Sequence, residues 1–324
     1  MPLEDKVRRM RQALALERPD RMPLAGDWAM VEYRPDVYHL GEREAVEPGE
    51  VKVSADGKRK FTADGGVWAI GDPERYRDAD DVLGVDLERF EVETVGPAML
   101  GEMARLYAAK ARQAYAIPWH YGTLVTRATI EFGWEPFLMA SALDPERFGA
   151  ICARFAEASL AVATGWAQTP GVELVIIHDD IAATRGTILS PEWYRRYAFP
   201  WYRRIFDAVH AQGRKVLYLS DGNYLEVLDD LLALGPDGLY IESTSIDPAE
   251  LMRRAGPDKL YLLKTDARNL DHGTPDDVRR ELLRLRDLHR RYPGLFIYPG
   301  GSRKPECLEA FHRCYNELLL YEQR

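Results

Sequence analysis

The sequence predicts an α/β fold of the (β/α)8-barrel type, and three observations predict it. After Pro97, short apolar runs alternate with helical stretches of ten or more residues, the pattern of a parallel sheet whose strands are joined by helices. The run 172–178, Val-Glu-Leu-Val-Ile-Ile-His, is nearly continuous in apolar character, as a strand covered on both faces must be. A chain of 324 residues with 46% hydrophobic content suits one barrel, a fold that commonly reaches this length undivided. A doubly wound open sheet is the competing arrangement; the first strand is followed by no GxGxxG, which weighs against it.

The elements follow in order. Residues 3–16 form an amphipathic helix, ended by Arg18-Pro19-Asp20-Arg21, and residues 22–28 a short strand. Between 51 and 73, alternating apolar positions surround Asp56-Gly57 and Asp64-Gly65, a hairpin signal. We read this as an insertion within a single domain, 1–324. Helices are expected at 99–112, 124–142 and 145–168, and strands at 114–120 and 172–178. Ser190-Pro191-Glu192 begins a helix to about 212, because serine caps and proline lacks an N–H that would be unpaired there. Strands at 215–220, 238–243, 260–265 and 294–298 alternate with helices from 224, from the cap at Asp247, from Thr274 and from Pro305. That gives seven strands, and an eighth is expected between 90 and 95.

Charge and cysteine content limit the function classes. The formal charge of −9 disfavours nucleic acid and anionic membrane as partners, since both need a basic face. No run approaches the roughly 18 apolar residues of a membrane span, and the first residues lack the apolar segment of a secretory leader. Three cysteines, Cys152, Cys307 and Cys314, form no CxxC pair. Together these features predict a cytoplasmic protein without disulfides.

In a barrel, side chains just past each strand meet at one opening. Those positions hold Asp27 and Trp28; Trp119, His120 and Tyr121; His178, Asp179 and Asp180; Asp221, Gly222 and Asn223; Glu242; Lys264 and Asp266; and Gly300 to Arg303. Crowded carboxylates raise one another's pKa, which supplies a general acid. His120 or His178 is placed to move protons. Asp180 and Asp221 are the expected acid/base pair, with Asp179, His178 and His120 also catalytic candidates. Trp28, Trp119, Tyr218, Asn223, Glu242, Lys264 and Arg303 are expected to bind a small-molecule substrate, the cations holding a carboxylate. Plainer roles compete: an aspartate as a cap, Lys264 paired with Glu242, His178 as a core histidine. His39, His210, His289 and His312 are placed on helices or loops away from the opening.

The run Ile177-His178-Asp179-Asp180, followed by Ser190-Pro191-Glu192 and Phe199-Pro200-Trp201, resembles the uroporphyrinogen decarboxylase superfamily. The stretch from Lys215 to Asn223, Gly238-Leu239-Tyr240-Ile241-Glu242, Gly273-Thr274-Pro275-Asp276-Asp277-Val278 and Arg18-Pro19-Asp20-Arg21-Met22-Pro23 are similar to it as well. The resemblance implies a distorted barrel, commonly a homodimer. It also implies cofactor-free decarboxylation or methyl transfer with a corrinoid protein. The arginine-rich signature that grips uroporphyrinogen is reduced here to Arg34, so that substrate is not expected. The zinc-binding His-x-Cys and Cys of the corrinoid-linked methyltransferases are replaced by Leu219, Asp221 and Gly301. The leading expectation is therefore a lyase that needs no cofactor and acts on an aromatic or heteroaromatic carboxylate. The alternative is a methyltransferase or demethylase with a corrinoid partner and zinc or another divalent metal on His178, Asp180, Asp221 and Glu242. A non-catalytic binding barrel is the third.

Overall fold

The computed structural model describes residues 2–26, 37–40, 50–53, 59–63, 66–71, 74–90, 92, 96–300 and 304–318. Trp28 and Arg303, both expected at the substrate, lie outside the described residues, as do Asp27, Gly301 and Ser302. Eight parallel strands form one sheet in chain order: β1 (Ala25–Gly26), β2 (Val37–Leu40), β3 (Tyr115–Tyr121), β4 (Leu174–His178), β5 (Lys215–Leu219), β6 (Gly238–Glu242), β7 (Leu260–Lys264) and β8 (Leu295–Tyr298). The sheet curls: a parallel bridge joins Leu24, just before β1, to Ile297 of β8, and the Ile297 N–H donates to the Pro23 carbonyl at 3.0 Å.

Seven of these strands fall where the sequence pattern puts them. The remaining one, β2, is a correction: it is Val37–Leu40, paired with Ala25–Gly26 on one side and with β3 on the other, and not residues 90–95. Of those, Phe90 and Val92 are in no strand and the rest lie outside the described residues. His39 consequently belongs to a strand rather than a helix or loop. Four apolar-enriched residues between masking turn signals give too little periodicity to recognise.

Two further differences have local causes. The single helix expected at 124–142 is two, Val125–Phe132 and Trp134–Leu143, because Gly133 at φ 79° turns the chain between them. The 51–73 insertion is a three-stranded antiparallel sheet, Val51–Val53, Arg59–Ala63 and Gly66–Ile70, rather than one hairpin. The expected caps are in place. Ser190 accepts from the Trp193 N–H at 3.2 Å, and Thr274 forms a capping box with Asp277.

Period-2 alternation sorts the strands into two apolar layers. Tyr115, Ile117, Leu174, Ile176, Leu217, Leu219, Tyr240, Leu260, Leu262 and Phe296 line the inner face. Met10, Ala13 and Leu14 of the helix Leu3–Leu14 join that layer and fill its N-terminal end. The intervening residues, such as Ala116, Val175, Ile177, Val216 and Tyr218, face outward and pack under the helices. The same parity, continued two residues past each strand, decides which polar side chains enter the site.

Candidate active site

On the inner parity lie Trp119 and Tyr121, His178 and Asp180, Asp221, Glu242, Lys264, Tyr298 and Gly300. His178 is central. Its Nδ1 accepts from the Trp119 indole N–H at 2.9 Å, and its Nε2 lies 2.8 Å from Asp180 Oδ1. Tyr121 sets its edge against the imidazole, with ring centres 4.6 Å apart. Asp180 Oδ1 also accepts the Asp221 N–H at 2.9 Å, and the Asp180 N–H donates to Thr126 Oγ1 at 2.7 Å.

The next two strands supply a second carboxylate and a cation. Glu242 Oε2 accepts the Gly222 N–H at 3.1 Å and the Ser245 hydroxyl at 3.1 Å, while Oε1 lies 3.2 Å from Lys264 Nζ. Tyr298 faces Lys264 across the β7–β8 register. The Asp221-Gly222 turn is thus held between the carboxylates of Asp180 and Glu242. The Asp221 carboxyl neighbours the buried Tyr240 hydroxyl.

This crowding separates the carboxyl groups by charge state. For Asp180, burial opposes ionisation, but the hydrogen bond to His178, the Asp221 N–H and the Lys264 charge outweigh it, and its pKa lies below the ordinary value. For Asp221, burial and the charges of Asp180 and Glu242 prevail over His178 and Lys264, and its pKa is raised. Burial also disfavours charge on His178, yet the Asp180 carboxylate draws its pKa upward. Lys264, despite its burial, stays firmly protonated beside Tyr298, Asp221 and Glu242. One acid and one base side by side result.

Three expected site residues have the opposite parity and lie away from this group. Asp179 is fully buried: Oδ2 accepts the N–H groups of Leu124 at 3.0 Å and Val125 at 2.9 Å and the Tyr202 hydroxyl at 2.5 Å, and Oδ1 accepts the Thr126 N–H at 2.7 Å. It anchors the start of the helix Val125–Phe132, where a negative charge is favoured. Tyr218 lies in the outer layer against Tyr202, its hydroxyl donating to the Asp179 carbonyl at 3.1 Å. His120 is buried, and burial with the nearby Arg127 and His178 pulls its pKa down to about 3. It is therefore a neutral residue behind the sheet.

Asn223 stays near the site but serves its own loop, its side-chain carbonyl accepting the Leu225 N–H at 3.1 Å. Tyr240, Tyr298 and Thr126 were not among the expected site residues, and Tyr121 was placed at the opening without a role. Parity would have found the three tyrosines, since each lies two residues before or after an expected one or beside it in register.

A close backbone approach fixes the Asp221-Gly222 turn. Gly222 has φ 79°, and a Cβ there would lie 2.4 Å from the Ala182 carbonyl oxygen. Gly222→Ala is expected to destabilise the protein by about 2 kcal/mol or more, from the left-handed backbone and a clash with main chain that cannot swing aside. Urea titration measures this, and an unchanged midpoint would contradict it.

The sequence pattern described as uroporphyrinogen decarboxylase (URO-D) matches residues 118–300, more than half of the chain. The chain belongs to this family. The matched segment carries every described residue of the inner-parity site. No curated protein matches the chain by sequence. Among solved structures, a methyltransferase from Methanosarcina mazei aligns over 95% of this chain and 97% of its own, with TM-score 0.65 and 16% identity. At that identity the likeness is one of fold. A B12-independent methionine synthase from a Shewanella species (13% identity, 71% of this chain and 69% of its own, TM-score 0.46) and an endo-β-1,4-xylanase from Gloeophyllum trabeum (9%, 94% and 98%, 0.48) are more distant. The URO-D family places this chain among enzymes, and the methyltransferase shares its curled α/β fold.

The donor set proposed for a metal does not fit one. Among the described residues no three His, Cys, Asp or Glu side chains are grouped as a metal site requires. Both nitrogens of His178 already have partners, and Glu242 is paired with Lys264. All three cysteines are buried.

Proposed function

We propose that this URO-D family member is a cytoplasmic lyase of the decarboxylase type, using acid–base chemistry on a small aromatic or heteroaromatic carboxylate. The observation that carries this reading is the Asp221 carboxyl, held on the inner face between ionised Asp180 and the Lys264-paired Glu242. We take the curled sheet to close as a (β/α)8 barrel, with the site at its C-terminal end, and the working unit to be a homodimer.

The reaction needs one proton delivered to a carbon. A flat ring rests against Trp119 and Tyr121, which supply an apolar wall. Lys264 offers the cation for the substrate carboxylate. Asp221 gives its proton to the ring carbon that bears the carboxylate, and the Asp180 anion stabilises the positive charge that develops on the ring. The bond to the carboxylate carbon breaks, its electron pair returns to the ring, and CO2 leaves. Solvent then reprotonates Asp221. A corrinoid-linked methyl transfer would require a metal that these donors do not fit, and a purely binding role would leave the Asp180–Asp221 pair without purpose.

The direct test is turnover of a panel of pyrrole, indole and benzene carboxylates in D2O. CO2 release with one deuterium at the vacated carbon supports the proposal. Methyl transfer from a methylated substrate to free cobalamin, with no CO2 from any panel member, would replace it.

The pH profile follows from the two shifts. Asp180, with its lowered pKa, stays ionised down to acidic pH, whereas Asp221 must keep its proton, so the rate falls on the alkaline side as Asp221 ionises. In Glu242→Gln one neighbouring negative charge is gone and Lys264 is released toward Asp221. Both changes lower the Asp221 pKa, and the alkaline limb of kcat moves to lower pH. A limb that stays in place or moves upward would contradict the assignment of Asp221 as the acid.

A further inference from the structure

We infer that Trp119 fixes His178 as a neutral imidazole with its single proton on Nε2, making the histidine a fixed donor to Asp180 and leaving Asp221 as the proton carrier of the site. The inference rests on donor and acceptor capacity. An indole nitrogen only donates. With Trp119 Nε1 2.9 Å from His178 Nδ1, Nδ1 must present its lone pair. The ring proton then sits on Nε2, which faces Asp180 Oδ1 at 2.8 Å, and a carboxylate accepts it.

The Trp119 and His178 planes differ by 20°, with centres 5.4 Å apart, and Tyr121 sets its ring at 83° to the imidazole. His178 is 4% exposed, so water does not readily replace either partner.

The charges around the ring would otherwise favour a second proton. Asp180, Asp221 and Asp179 all act on it in that direction, opposed by burial. The second proton has one place to go, Nδ1, where it would meet the indole hydrogen head-on. Trp119 therefore works against the pull of the Asp180 carboxylate. The expectation that His178 moves protons is replaced by a positioning role. Its Nε2–H and the Asp221 main-chain N–H hold the same Asp180 oxygen, so the other, Oδ2, is left to face the substrate.

A tryptophan that merely packed would be equally served by phenylalanine, which separates the two roles. The full-length protein is labelled with 15N in its histidine rings and observed by long-range 1H–15N correlation near neutral pH. His178 is assigned by its loss in His178→Gln. The wild-type ring is expected to show an unprotonated Nδ1 and a protonated Nε2. In Trp119→Phe the Nδ1 signal is expected to shift to the protonated position, giving imidazolium. A wild-type ring protonated on Nδ1, or a Trp119→Phe ring indistinguishable from wild type, overturns the inference. Should Trp119→Phe not fold, Asp180→Asn gives a second reading. There Nδ1 stays unprotonated because the indole still occupies it, and a proton on Nδ1 overturns the inference. The ring spectrum is independent of the reaction proposed above, so the two can fail separately.

Discussion

Asp221→Asn lowers kcat by about 10²–10⁴-fold, the usual contribution of a positioned general acid, while KM changes little. The amide keeps the shape and the Tyr240 contact but has no transferable proton. Its fold should hold. A carboxyl whose pKa is raised in the folded state favours folding most at low pH, and that contribution is lost as pH rises through the folded value. Replacing it with a neutral amide therefore leaves the variant as stable as wild type in acid, and more stable at alkaline pH. Steady-state kinetics with thermal melts across pH read both effects. Undiminished turnover in Asp221→Asn would move the acid to another group and end the proposed mechanism.

The largest stability effect is expected behind the sheet, at Asp179. Asp179→Ala leaves three main-chain N–H groups, of Leu124, Val125 and Thr126, and the Tyr202 hydroxyl without their acceptor in a buried setting. Each unsatisfied buried donor is costly, and a loss of about 3–5 kcal/mol is expected, which lowers Tm on the order of 10 °C. Tyr202→Phe removes one donor and leaves the carboxylate three, so it should cost roughly 1 kcal/mol. Calorimetry on the two variants discriminates: equal losses would mean that Asp179 is not the anchor of that helix. Because Thr126 also receives the Asp180 N–H, activity should fall with stability.

The contrast between Asp179 and Asp180 shows how much of the site was legible in the sequence. Strand ends are marked by where apolar runs stop, and His178, Asp180, Asp221, Glu242 and Lys264 were found that way. Which of two adjacent polar residues turns inward depends on the pleat, and reading strand ends as clusters passed over it. Hence His120, Asp179 and Tyr218 were placed at the opening, while Tyr240 and Tyr298, inside the strands at the correct parity, were given no role. The pattern Leu174-x-Ile176-x-His178-x-Asp180 holds the answer once the inner layer is known. A second loss had another cause. Val37–Leu40 has four residues, and a strand that short carries no periodicity of its own; its pairing with Ala25–Gly26 and Tyr115–Pro118 comes from the closing sheet. Trp119 was expected to wall the substrate, but its N–H contact with His178 depends on inter-strand register, which sequence spacing does not supply.

The arrangement at the N-terminal end has a consequence for how the chain assembles. Segment 2–26 finds its partners far along the polypeptide: Arg18 reaches the Arg290 carbonyl 272 positions later, the Tyr315 hydroxyl returns to Met22 across 293 positions, and Pro23 meets Ile297. Contacts so distant make loop closure the slow step of folding. Met10, Ala13 and Leu14 share one apolar layer with residues of β1 and of β3 to β8, so the helix Leu3–Leu14 can seat fully only once the sheet has curled around it.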